Sequence, residues 1–258
     1  MSDSTVDDSR PSSARVWNYI LGGTDNFAVD RELADRLLVA FPHIAEIARE
    51  QRKFLSRAVT FLAGTAGIRQ FLDIGTGLPT ADNTHEVAQR VAPESRIVYV
   101  DKDPLVLAHA RELLTSAPEG ATAYVDSDVR DPERILREAA TTLDFTRPIA
   151  LTMLGILGNV ADYAEARSIV ERLVDAVPAG SYLVVSDGAN TSPGIVESQR
   201  IANQGGHPYN LRSPEEIAGY FDGLDLVPPG VVSTSLWRPE PGTAPTATDG
   251  YCGIGQKR

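Results

Sequence analysis

Beyond Gly67 the chain keeps a rhythm that few folds can accommodate. Five short β-branched or aromatic runs, RQFLDIG, RIVYVD, TAYVDSD, IALTMLGIL and SYLVVSD, each end in acidic or glycine residues. Helical stretches separate them: NTHEVAQRVA, PLVLAHARELLTSA, PERILREAATTL and EARSIVERLVDAV. Strands that alternate with helices need crossover connections, so the pattern predicts a parallel sheet covered on both faces. Ahead of it, residues 13–66 read as helices. Leu33, Leu37 and Leu38 recur at helical spacing, as do Phe54, Ala58, Phe61 and Leu62, with breaks at Gly22-Gly23 and Pro42. Residues 1–12 read as a disordered tail, 13–66 as a helical cap or lid, and 67–258 as one α/β domain. Near the end, SPEEIAGYF carries a capping box from Ser213 to Glu216. LDLVPPGVVSTSLWRP and DGYCGIGQKR read as two strands joined by a Pro/Thr-rich loop.

Composition narrows the function. A net charge of −11 over 258 residues, with no basic stripe, disfavours a nucleic-acid backbone as partner. Cys252 stands alone, which excludes an intrachain disulfide and a cysteine zinc cluster. No aspartate or histidine spacing suggests a metal. The N-terminus lacks an apolar signal region and no apolar run approaches a membrane span, so a cytoplasmic protein is expected. The three lysines, Lys53, Lys102 and Lys257, among many arginines suggest a GC-rich bacterial source.

QFLDIGTGLPT runs from a strand into Gly75-Thr76-Gly77, a bend of the kind that receives nucleotides, but Thr80 stands where a dinucleotide fingerprint wants a third glycine. Asp73, just before the bend, would repel a pyrophosphate. It would attract the α-ammonium and sulfonium of S-adenosylmethionine. The alternative is a turn cap with no ligand. Asp101, ending RIVYVD, can accept both hydroxyls of an adenosine ribose, while Asp103 is the better cap for the next helix. Asp128 in YVDSDVRD can accept the adenine amino group, with the Val129 N–H donating to the ring. Asp126 and Asp131 compete with it, one of the three being a helix cap. Acids at the carboxyl ends of successive strands lie where open α/β sheets bind ligands.

D-I-G-T-G, V-D-K-D and D-V-R-D resemble the first motifs of class I S-adenosylmethionine-dependent methyltransferases. RVWNYILGGTDNFAVDR, QFLDIGTGLPTADNTHEVAQ, VYVDKDPLVLAHAR and PPGVVSTSLWRP resemble more closely an actinobacterial methyltransferase family with largely unassigned substrates. The resemblance spans Arg15 to Lys257. It implies a Rossmann-like, seven-stranded, mostly parallel sheet of order 3-2-1-4-5-7-6 whose last strand is antiparallel. It further implies backbone contacts to the methionine part from Gly75, Thr76 and Gly77, a ribose on Asp101, and adenine on Asp128 and Val129. Lys102, beside Asp101, and Gly155, after the fourth strand, join the cofactor set. Tyr19, Gly22, Gly23, Asp25 and Asn26 match the block GG-x-DNF and would fold over the cofactor. The other reading of that block is a glycine-turned cap with Asp25 or Asn26 opening the next helix.

The chain departs from the family pattern at the acceptor end. Gly158 stands where the pattern carries a histidine, Ser186-Asp187 where many members have Ser-His, and Thr24 and Gln51 where Lys and Asn are expected. Transfer from a sulfonium needs alignment first and a general base only for an acceptor that must lose a proton. The candidates for that base are His207, Tyr209 and Asp187, with Asp187 also a candidate anchor for an amine. His85 and His109 read as structural. Trp17 and Trp237 could stack an aromatic substrate, with core packing the better reading for Trp237 in its strand. The leading expectation is a methyltransferase acting on a small molecule, in secondary metabolism, as a homodimer, releasing S-adenosylhomocysteine. The alternatives are an enzyme that cyclises or cleaves the aminobutyryl arm, a non-catalytic binder of S-adenosylmethionine, and, from the glycine bend alone, a dehydrogenase.

Overall fold

The computed structural model describes residues 6–113, 115–206 and 208–258. The chain runs α1 (Ser13–Ile20), α2 (Ala28–Ala40), α3 (Ile44–Gly64), β1 (Gln70–Ile74), α4 (Thr84–Val91), β2 (Arg96–Asp101), α5 (Pro104–Leu113), β3 (Ala121–Asp126) and α6 (Pro132–Ala139). It continues through β4 (Ala150–Leu154), α7 (Tyr163–Ala176), β5 (Tyr182–Gly188), α8 (Pro193–Gln204), α9 (Pro214–Gly219), β6 (Asp225–Leu226), β7 (Val232–Ser233) and β8 (Gly250–Gln256). The sheet order is β3-β2-β1-β4-β5-β8-β6, with β7 also on β8. Strands β1 to β5 are parallel and β8 is antiparallel to β5, from Tyr182↔Gln256 to Gly188↔Gly250. This is the expected order with one strand more. The run LDLVPPGVVSTSLWRP does not form one strand. Pro228 and Pro229 have no N–H to donate to a ladder, so the run splits into two-residue β6 and β7.

Alternation in the strands feeds two cores. On one face Leu72, Ile74, Val98, Val100, Leu151 and Met153 meet Ile135 of α6 and Ile169, Val170 and Leu173 of α7. On the other, Phe71, Ile97, Tyr99, Ala150 and Val184 meet Phe54, Leu55, Ala58 and Leu62 of α3 and Val87 and Ala88 of α4. Trp237 lies in this second core with none of its surface exposed, after a 3-10 turn rather than in the expected strand, and edge-on to Phe54.

A third core joins α1, α2, the start of α3 and α8 through Val16, Ile20, Leu33, Leu37, Phe41, Ile47 and Ile195. Helix α3 therefore belongs to two bodies. Its first turns build the cap and its later turns form a layer of the sheet, so the expected division at residue 66 falls beyond an element that both regions share. The expected tail also ends earlier than Ser12. The Ser12 N–H donates to Asp30 Oδ1 at 2.9 Å and its hydroxyl donates to Asp103, beside the buried Arg15–Asp30 pair at 2.8 Å. No helix among the described residues is long and apolar enough to cross a membrane.

Candidate functional site

The carboxyl edge of the sheet opens into one cavity of about 650 Å³, within the range of small-molecule pockets. Strand β1 enters it through Gly75 and Gly77, both left-handed at φ +77° and +67°. A Cβ on Gly75 would lie 2.6 Å from Ile156, so the chain can pass there only as glycine. The bend is tied to β2: the Gly75 N–H donates to Val100 O at 2.8 Å, and the Gly77 N–H to Asp101 Oδ2 at 2.9 Å. Asp101 Oδ1 accepts from the Asp103 N–H at 2.9 Å, and Asp103 in turn accepts from Leu105 N–H, capping α5 as expected. Asp101 thus braces the glycine bend while lining the cavity. Burial raises its pKa, and the backbone N–H groups pull it back.

Asp73 does not cap the turn. Its carboxylate is buried between the hydroxyls of Thr84, donating at 2.6 Å from the first turn of α4, and Thr152 of β4, donating at 2.9 Å. Burial raises its pKa, against these two bonds and the positive charge of Arg52. Arg52 reaches the same wall from α3. One terminal nitrogen donates to Ala81 O at 3.1 Å and Asp82 O at 3.0 Å, and its buried Nε has no protein partner. Arg52 was not among the sequence candidates. Its signal was a guanidinium on the apolar stripe of α3, four residues after Ala48 and three before Leu55. Gln51, next to it, stands 3.1 Å from where a Cβ on Gly155 would lie, and Gly155 is itself left-handed at φ +72°.

Asp128 sits at the rim. Its Oδ2 meets Lys102 Nζ at 2.9 Å, and its Oδ1 accepts from the Arg130 N–H at 3.0 Å. Burial would raise its pKa, but these cationic and N–H partners outweigh it and hold the pKa low. Asp131, not Asp128, caps α6. Thr76, Lys102, Asp128, Val129 and Gly155 all line the cavity.

Tyr19, Gly22 and Asn26 do not line it. Tyr19 donates to Asp35 at 3.0 Å, and Asn26 donates to Asn18 Oδ1 at 2.9 Å and Gly23 O at 3.0 Å. Gly22 is the left-handed turn that ends α1, at φ +88°. The block is a folded corner around Asn18. Helix α2 is capped by Phe27 and Asp30 rather than Asp25 or Asn26. Nothing in this arrangement carries the three residues to the cofactor side.

The other end of the cavity is mostly apolar, walled by Trp17, Leu21, Leu37, Ile47, Ile195 and Leu211, with Asn18, Ser198 and Gln199 also lining it. One hydrogen-bonded polar pair stands in it. Asp187, 1% exposed at the end of β5, accepts from the Tyr209 hydroxyl on Oδ1 and from the Gly158 N–H on Oδ2 at 3.0 Å. Burial pushes the Asp187 carboxyl up to about 6, against Tyr209, the backbone donors and the charge of Arg212. Tyr209 Oη also accepts from the Gly188 N–H at 3.2 Å. A Cβ on Gly158 would sit 2.4 Å from the Tyr209 ring, so the glycine leaves the room that this ring fills. His207 lies outside the described residues. His85 is structural: it is buried and its Nδ1 is 2.8 Å from the Tyr99 hydroxyl. No cluster of His, Cys, Asp or Glu suited to a metal occurs among the described residues.

The donor set at the first end fits a zwitterion with a nucleoside attached. Asp73 supplies a buried negative charge, Arg52 a half-buried guanidinium with an unused Nε–H, the bend a close backbone approach, and Asp101 a carboxylate.

A family model described as S-adenosyl methyltransferase matches residues 1–258. A DUF574 family protein of Streptomyces avermitilis is 43% identical with TM-score 0.94, covering 98% of this chain and 99% of that one. A Thermobifida fusca protein assigned as a methyltransferase is 44% identical with TM-score 0.91, covering 98% and 97%. Human N-acetylserotonin methyltransferase in complex with S-adenosylmethionine shares the fold at 12% identity and TM-score 0.52, covering 96% of this chain and 63% of its own. No protein of curated function matches the chain. A model matched over its full length and two structures at 43% and 44% identity place one conclusion on this fold and site: the chain belongs to the S-adenosyl methyltransferase family, whose cofactor is S-adenosylmethionine.

Proposed function

We propose that the protein methylates a small molecule held in the apolar end of the cavity. The observation that carries this reading is the continuity of the cavity, which runs from Asp73, Arg52 and the glycine bend to Asp187 and Tyr209 without a wall between them. Bound there, the cofactor supplies an electrophilic methyl group and a neutral thioether leaving group. The chain's own residues have three tasks. Asp73 and Arg52 hold the ammonium and carboxylate of the amino-acid end, Asp101 the ribose, and Asp128 and Val129 the adenine. The capping helices and α8 surround the acceptor with apolar groups and exclude water. The remaining task is alignment, which makes the largest contribution to a displacement with so good a leaving group.

We place the acceptor among small metabolites, in the secondary metabolism of the cytoplasm. Support comes from the cavity's volume, the net charge of −11 and the relatives in Streptomyces and Thermobifida. The test is purified protein with methyl-labelled S-adenosylmethionine and an extract of the source cells, read by mass spectrometry. A labelled metabolite rising with S-adenosylhomocysteine is the expected result. Labelled methylthioadenosine in its place would mean chemistry on the aminobutyryl arm and end the transfer reading.

A further inference from the structure

Tyr209 and Asp187 form a hydrogen-bonded polar pair in a wall that is mostly apolar, Asn18, Ser198 and Gln199 being further polar groups there, and the hydroxyl's hydrogen-bond capacity is nearly used. A tyrosine hydroxyl has one donor and two acceptor sites. Tyr209 Oη donates to Asp187 and accepts from Gly188, which leaves one acceptor site. Asp187 is almost wholly buried, with each oxygen already accepting one bond. Behind it lies the buried Arg212, whose guanidinium is anchored on Val160 O at 2.7 Å and Ala161 O at 3.1 Å and whose charge acts on Asp187. The charge of the pair is therefore compensated from within the protein, and the Tyr209 hydroxyl keeps one lone pair free.

From this geometry we infer that the acceptor is a neutral molecule with a largely apolar body and a hydroxyl at Tyr209, and that the proton of this hydroxyl leaves through Tyr209 to Asp187. The inference rests on the proposed transfer to a small molecule and deepens it to O-methylation. An acceptor O–H can donate to the free lone pair of Tyr209. An ammonium would bring three N–H donors and a full charge against Trp17, Leu21, Leu37, Ile47 and Ile195, where its desolvation would go uncompensated. In the reaction the acceptor oxygen gives its proton to Tyr209 Oη as Tyr209 gives its own to Asp187 Oδ1. The new oxygen–methyl bond replaces the methyl–sulfur bond, whose electron pair stays on sulfur, and the proton on Asp187 passes to solvent. Gly158 is the positioning residue: with no side chain it lets the Tyr209 ring lie flat enough to reach Asp187.

The test measures binding to the protein without added cofactor, by isothermal titration calorimetry at pH 7.5. Three bodies (phenyl, naphthyl and cyclohexyl) are each offered as the alcohol or phenol, the methyl ether and the aminomethyl ammonium. The hydroxyl member of a body that binds should be about tenfold tighter than its ether and than its ammonium. Tyr209→Phe, which removes only the hydroxyl, should erase that preference with the melting temperature retained, and Gly158→Ala should do the same by displacing the ring. Equal binding of hydroxyl and ether, tightest binding of the ammonium, or binding of none of the set would overturn the inference. A preference that survives Tyr209→Phe would also overturn it. Labelled transfer separates the two readings. A hydroxyl preference with no S-adenosylhomocysteine formed from any acceptor sinks the transfer and leaves the chamber assignment standing. Transfer to an extract metabolite with no hydroxyl preference does the reverse.

Discussion

The two ends of the cavity are built by different rules. At the cofactor end, short local segments do the work. Gly75 and Gly77 adopt a backbone that glycine alone takes readily, and Asp73, Asp101 and Asp128 stand at the ends of three strands of one sheet. At the acceptor end, the wall is assembled from α1, α2, α3 and α8 with the segment after residue 207. A cofactor shared by a family can be held by a motif. An acceptor particular to one member is held by a surface of many origins, which is where members can diverge.

The contrast can be broken most directly at Asp73. Asp73→Asn should weaken S-adenosylmethionine binding about 100-fold, the effect of truncating a buried charge that meets an opposite one. Titration calorimetry would show it. An unchanged affinity would mean that the carboxylate is only a ligand of Thr84 and Thr152. Arg52→Met should cost about 10- to 30-fold in the same measurement, since a partly desolvated hydrogen bond to a charged group is worth less than the full ion. Loss of acceptor binding with cofactor binding intact would instead assign Arg52 to the other end.

The pH dependence sharpens the acceptor end. Asp187 titrates at about 6 and must be ionised to take a proton, so single-turnover transfer should be flat above that pH and fall about tenfold per unit below it. The groups facing it are Tyr209, Arg212 and Tyr220, and of these Tyr209 and Tyr220 are both raised further from neutrality by burial, so neither contributes a second inflection near pH 6. A rate independent of pH from 5 to 8 would remove Asp187 from proton transfer. The smallest effect belongs to Tyr19. Tyr19→Phe should leave cofactor affinity within about twofold, because its hydroxyl spends its bond on an exposed carboxylate. A larger loss would bring the GG-x-DNF corner back to the cofactor.

The β-branched runs alternating with helices were enough to predict a parallel sheet and to put acids at its carboxyl edge, because strand propensity and glycine bends are local properties of the chain; the strand order came from the family resemblance. The capping roles of Asp103 and Ser213 were legible for the same reason. Tyr19, Gly22 and Asn26 were not, since a conspicuous glycine block serves equally well as a corner and as a lid, and only the direction of α1 distinguishes the two. Arg52 shows the opposite limit: one guanidinium among many on a helix becomes distinctive only when α3 lays it against Asp73. Asp187 and Tyr209 lie 22 residues apart. Each was a candidate base by itself, but nothing in the sequence joined them, and the missing side chain at Gly158 looked like the loss of a base. Packing decided otherwise. The absent Cβ is the space that the Tyr209 ring occupies, and side-chain volume exchanged between distant segments leaves no mark on either segment's own sequence pattern.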